Sequence, residues 1–165
     1  MGLDACVYCD CVEKGRLTSL PPPPNLLYIE QDGCPLTRAD DIESSLVFDA
    51  WTRSRPCPHE DFYLVNSRLG NMSDINFIKS VVKQLSSEPE KEYPILWSKV
   101  IYNGIHASDF LLPEQAVTLG AELKRLRLQP LPQLKEGYVA YWLRFVSTLE
   151  ELVEASHTVG KPISF

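Results

Sequence analysis

The stretch LDACVYCDC, residues 3–11, decides how the chain begins to fold. Leu3, Ala5, Val7, Cys9 and Cys11 alternate with Asp4, Cys6, Tyr8 and Asp10. A period of two is that of a β-strand with one buried face, so an opening strand is expected, with Cys9 and Cys11 on one side and Cys6 on the other. The four prolines that follow at 21–24 can neither continue a helix nor donate to a ladder. They form a stiff connector to a second strand in NLLYIEQDG, residues 25–33, which turns at Asp32-Gly33.

Beyond this hairpin the period changes. Ile42, Leu46, Val47, Ala50 and Trp51 fall on one side of a helix over 40–53 that is stopped by Pro56, and that side is expected to lie on the sheet. A strand over 61–68 follows, then a helix N-capped by Ser73 with Ile75, Ile78, Val82 and Leu85 inward. YPILWSKVIYNG, residues 93–104, is β-branched and aromatic and ends at Asn-Gly, which predicts a buried strand. Two helices close the chain. Pro113 suits the first turn of one carrying Leu112, Ala116, Leu119, Leu123 and Leu126, and Val139, Trp142, Val146, Leu149 and Val153 stripe the other, with Gly160 as its C-terminal cap. Residues 1–165 therefore read as a single α+β domain, a small, mostly antiparallel sheet covered by about four helices.

Composition narrows the function classes. The chain is 44% hydrophobic and 23% charged, with no apolar run long enough for a membrane span. Its net charge of -6, from 22 carboxylates against 16 Lys and Arg, repels polyanions and argues against nucleic acid, while suiting a basic protein partner. Asp4 and Asp10 stand where a secretory signal would carry Lys or Arg, and Cys6 stands where myristoylation wants Ser or Thr. A cytoplasmic location is expected. An odd number of cysteines, Cys6, Cys9, Cys11, Cys34 and Cys57, then points to reduced thiols or metal thiolates rather than a disulfide framework.

The most specific chemistry joins Cys9 and Cys11 of CDC to Cys57 and His59 of CPH. In extended chain, residues two apart face the same way, so each tripeptide can offer two soft ligands to one point, giving the Cys3His set that zinc accepts. The competing reading is that free cysteine packs as a small hydrophobe, with His59 a loop residue beside Glu60 and Asp61. A Cys6-x-x-Cys9 redox couple would want a helix N-terminus, which a strand does not provide. His106 and Asp109 form a second candidate binding pair, in a loop after the 93–104 segment. No catalytic residue is assigned, because the chain has no nucleophile elbow, P-loop, dinucleotide fingerprint or HExxH.

Several pieces together resemble a known family. MGLDACVYCDC (1–11), CPHEDFYLVNSRLGN (57–71), SKVIYNGIHASD (98–109) and VGKPISF (159–165) are similar to small bacterial proteins that open MGLDxxVYCDC and end VGKPIxF, over most of the chain. That family has no established activity, so the resemblance implies no catalytic residues; it implies that the Cys-x-Cys and Cys-x-His pieces and His106 belong to one recurring pattern. Small acidic bacterial domains without catalytic motifs are frequently immunity proteins, which neutralise a cognate toxin by binding it. An immunity protein with a toxin domain as its partner is the leading expectation. A zinc-dependent hydrolase using the Cys/His cluster, with Asp10, Glu60 or Asp109 as base, is the alternative.

Overall fold

The computed structural model describes residues 2–23, 26–102 and 109–165. Its centre is β1 (Gly2–Tyr8), whose Leu3, Ala5 and Val7 point into the core as the alternation requires. β1 pairs antiparallel with β4 (Tyr63–Asn71), Leu3 opposite Gly70 and Val7 opposite Val65. On its other side it meets β6 (Ile163–Ser164), which in turn pairs with β5 (Phe110–Leu111). The order β4-β1-β6-β5 is antiparallel throughout. A separate hairpin joins β2 (Leu27–Ile29) to β3 (Pro35–Thr37), with Gly33 at φ 93 in its turn. The fold is α+β, as expected.

Helices cover the sheet. α2 (Met72–Leu85), α4 (Pro113–Leu128) and α5 (Glu136–Val159) supply Ile78, Val82, Leu119, Leu123, Val146 and Leu149 to the main core with β1. The two C-terminal stripes lie as the spacing predicts, except that Leu112 is the exposed N-cap of α4. Gly160 ends α5 in the left-handed conformation at φ 67. Among the described residues no helix is long and apolar enough to cross a membrane.

Four expectations need correction. First, 93–102, the described part of the 93–104 segment, is not a strand. After α3 (Pro89–Glu92) the chain continues in a wide helical turn over Leu96–Val100, and Tyr93, Leu96 and Val100 are buried at helical spacing. The cause is tertiary: the Glu122 carboxylate on α4, itself fully buried, accepts the N–H groups of Ile95 (2.9 Å) and Leu96 (2.8 Å) and so caps this turn from outside. Second, α2 is capped by Asn71, which accepts from Ser73 and Asp74 N–H, while Asp74 answers the Asn71 N–H; Ser73 is the second helical residue.

Third, α1 (Ile42–Arg53) keeps only Trp51 of the expected side inward and buries Phe48 beside it. Phe48 and Trp51 are buried, whereas Ile42, Leu46, Val47 and Ala50 are exposed. Each aromatic ring buries about 150–250 Å², and Trp51 Nε1 also donates to Ser19. Fourth, β1 stops at Tyr8, so Cys9 and Cys11 are not strand residues. Cys9 N–H still donates to Phe62 O (2.7 Å), but the chain then bends into a turn closed by Lys14 N–H to Asp10 O and Arg16 N–H to Cys11 O.

Candidate metal centre

Because β1 and β4 are neighbours in the sheet, everything between Tyr8 and Tyr63 is one long excursion that leaves and rejoins at a narrow neck. Cys9 and Cys11 stand just past β1, and Cys57 and His59 just before β4. The neck brings them together. Cys9 Sγ lies 3.9 Å from Cys57 Sγ, Cys11 Sγ lies 3.4 Å from His59 Nδ1, and Cys57 Sγ lies 3.9 Å from the same nitrogen. All four ligand atoms fall within 4.8 Å of one another.

These spacings fit a metal. With Zn–S near 2.3 Å and Zn–N near 2.0–2.1 Å, the edges of a tetrahedron come to about 3.8 Å between sulfurs and about 3.6 Å from sulfur to nitrogen. The three cysteines are buried and His59 is partly exposed, so the cluster is a closed pocket with its imidazole at the rim. Burial pushes the Cys9 thiol up to about 12; the Cys11 backbone draws it partly back, while the Cys11 and Cys57 thiols add to the rise. Cys11 is also raised, by burial first and by Cys57, while Arg16 draws it back down. Cys9 and Cys11, two crowded thiols that resist ionisation beside one another, are what a divalent cation relieves. Arg16, which pairs with Asp10, supplies a positive charge next to the net negative set that three thiolates and zinc would make.

A second core surrounds the cluster. Tyr8, Phe48, Trp51 and Phe62 pack with the three sulfur residues, Trp51 lying 5.3 Å from Phe48 and 5.6 Å from Phe62 between ring centroids. The ligand loop itself is bent tightly. Arg55, Asp61 and Phe62 have φ of 54°, 47° and 63°, left-handed values that cost a side-chain-bearing residue roughly 1–2 kcal/mol each. Three such residues flank Cys57 and His59, so backbone strain gathers beside the cluster. Asp61 is of a type that tolerates this conformation, whereas Arg55 and Phe62 give no sign of it in the sequence.

The remaining sequence candidates lie elsewhere. His106 falls in 103–108, outside the described residues. Asp109 precedes β5, accepts from the Tyr102 hydroxyl, and receives Phe165 N–H on its carbonyl, so it is not joined to the Cys/His cluster. Cys6 and Cys34 sit apart from the four ligands beside Tyr8, and burial pushes both thiols up. All five cysteines are free.

Lys161 is a further residue that no chemical motif in the sequence marks. It is buried, with Nζ 2.6 Å from Glu13 Oε1 and 3.3 Å from Gly33 O, and so ties the turn after Cys11 and the β2–β3 hairpin to the C-terminal segment. Comparison with protein-family models, curated proteins and solved structures finds no match.

Proposed function

We propose that Cys9, Cys11, Cys57 and His59 hold one Zn2+ in a closed, structural tetrahedral site, and that the protein works by binding another protein. The observation that carries the metal reading is the convergence of four ligand atoms, from opposite sides of the neck, to within 4.8 Å. Three thiolates and an imidazole favour zinc over hard cations, which take oxygen ligands. Zinc there would fasten the neck and fix α1 and the proline segment against the sheet.

A structural role fits better than hydrolysis. Four protein ligands leave no position for a water, and the carboxylates nearest in sequence are engaged, Asp10 with Arg16 and Glu60 with Arg55. Open grooves of about 540 Å³ against α4 and α5 and about 630 Å³ against α2 and α5 are lined by none of the four ligands. Metal analysis of protein purified without chelator tests the reading: one zinc per chain is expected, and Co2+ exchanged into the site should give the intense visible bands of tetrahedral cobalt with thiolate charge transfer. Substoichiometric metal would overturn it. A cobalt spectrum that shifts on adding azide would reveal an open position and favour the hydrolase.

The binding role is supported by the charge of -6, which speeds encounter with a basic partner. Neutralisation of a toxin domain, in the manner of an immunity protein, is the form of that role we put forward, with the cytosol as the compartment that keeps the thiols reduced. Co-expression with the products of adjacent genes tests it. A stable complex that abolishes the partner's toxicity is expected, and unaltered toxicity with every neighbour would refute it.

A further inference from the structure

α1 is apolar on two sides and the fold covers one. At 100° per residue Phe48 and Trp51 occupy the inward arc, while Ile42, Leu46, Val47 and Ala50 share the outward one. The three larger side chains of that arc are 81%, 59% and 42% exposed. This is the stripe whose spacing alone predicts a core-facing surface, and here it stands in water. It is not flat: Pro22 and Pro23 run alongside and, with Glu43, Ser44 and Val47, line an open groove of about 320 Å³. Leu20, immediately before the prolines, is 75% exposed.

The charge around the stripe is one-sided. Asp40, Asp41 and Glu43 cluster at the N-terminal end, and among the described residues neither Asp40 nor Glu43 has an ion-pair partner. At the other end Arg53 is matched by Asp49 and Arg55 by Glu60. Arg38, the remaining nearby cation, lies over the Tyr28 ring.

We propose that this face docks an amphipathic segment of a partner protein, apolar along one side and rich in Lys and Arg along its edges. The inference rests on the protein-binding reading above and assigns the surface and the chemistry of the partner. Unmatched carboxylates at the rim call for cations from outside the chain. A second copy is disfavoured, because it would bring the same carboxylates against themselves in a chain already at -6. The proline wall is stiff in advance, so less order has to be imposed when the groove is filled.

The probe is a fluorescein-labelled Leu/Lys amphipathic helical peptide, titrated by anisotropy into the zinc-loaded chain. An analogue with Glu in place of every Lys serves as control. Ile42→Ala with Leu46→Ala should weaken binding by about tenfold or more. Asp40→Asn with Glu43→Gln should weaken it several-fold at low salt and little at about 0.3 M, where charges are screened. Val117→Ala with Leu128→Ala, exposed apolar residues on α4, should leave it unchanged. Equal loss in the α4 pair, or no loss in the α1 pair, would overturn the surface while leaving the protein a binder. Preference for the Glu analogue, or no binding of either peptide, would overturn the partner's chemistry. Sedimentation showing a dimer that Ile42→Ala with Leu46→Ala dissolves would assign the face to a second copy instead. Zinc content measured on each sample separates these outcomes from failure of the metal site.

Discussion

Stripping the metal should loosen the excursion between β1 and β4 and leave the rest of the molecule closed. The four ligands sit on both sides of the neck, so the holo protein cannot open residues 9–62 without giving up the ion. With free zinc buffered a thousandfold above its dissociation constant, linkage raises the cost of that opening by about 4 kcal/mol. Each 1.4 kcal/mol is a factor of about ten, so chelation should accelerate exchange of the excursion's amides by about a thousandfold. The amides to read are Cys9, which donates to Phe62 O, Arg16, which donates to Cys11 O, and Thr18, which donates to Pro56 O. Opening also releases the left-handed strain at Arg55, Asp61 and Phe62, which works in the same direction. Val82 in α2 and Leu149 in α5 belong to the main core and serve as internal references. Hydrogen exchange with mass-spectrometric readout, with and without chelator, makes the measurement. A uniform loss of protection, or none, would refute the idea that the ion holds the neck.

Four further outcomes follow from buried positions. Glu122→Ala leaves the N–H groups of Ile95 and Leu96 without their acceptor, and at about 1–3 kcal/mol for each buried donor should cost about 2–6 kcal/mol in urea unfolding; Glu122→Gln, which keeps one acceptor oxygen, should cost less. Burial raises the Glu122 carboxyl above its usual range, so its contribution is complete below the unfolded carboxylate range and declines as pH rises through the raised folded value; Glu122→Gln should flatten that slope. Gly70→Ala places a Cβ 2.8 Å from Asp74 Cβ at φ 155, and thermal melts should show a loss of about 2 kcal/mol or more. Lys161→Met removes the ammonium that serves Glu13 and Gly33 O, and should cost about 1–3 kcal/mol with faster exchange in the β2–β3 hairpin.

What the sequence makes legible is whatever is local and chemically particular. Leu3, Ala5 and Val7 write β1 by alternation, and Trp142, Val146 and Leu149 write α5 by helical spacing, because one face of each is buried along its length. The Cys/His set is legible because few other purposes gather those side chains, although the route to it differs: the neck converges them, not strand alternation. Residues 93–101 misread because a strand-like composition is overruled by Glu122, a residue 26 or 27 positions away. α1 misreads because two apolar stripes compete for one interior, and only the packing of Trp51 against Phe48 and Phe62 decides between them. β6 is two residues long, too short for any periodicity.

That short strand bears on how the molecule is made. β6 lies between β1 and β5, with Ser164 opposite both Cys6 and Phe110, so the sheet is not continuous until residues 163–164 are in place. At about 5–20 residues per second, the opening strand waits roughly 10–30 s on the ribosome with one edge unpaired. Until then, among the described residues, its sheet partner is β4 alone, and β5 has no strand to join. Folding is therefore gated by the arrival of the C-terminal segment, and truncation before Ile163 would release a chain with two bare strand edges, prone to self-association.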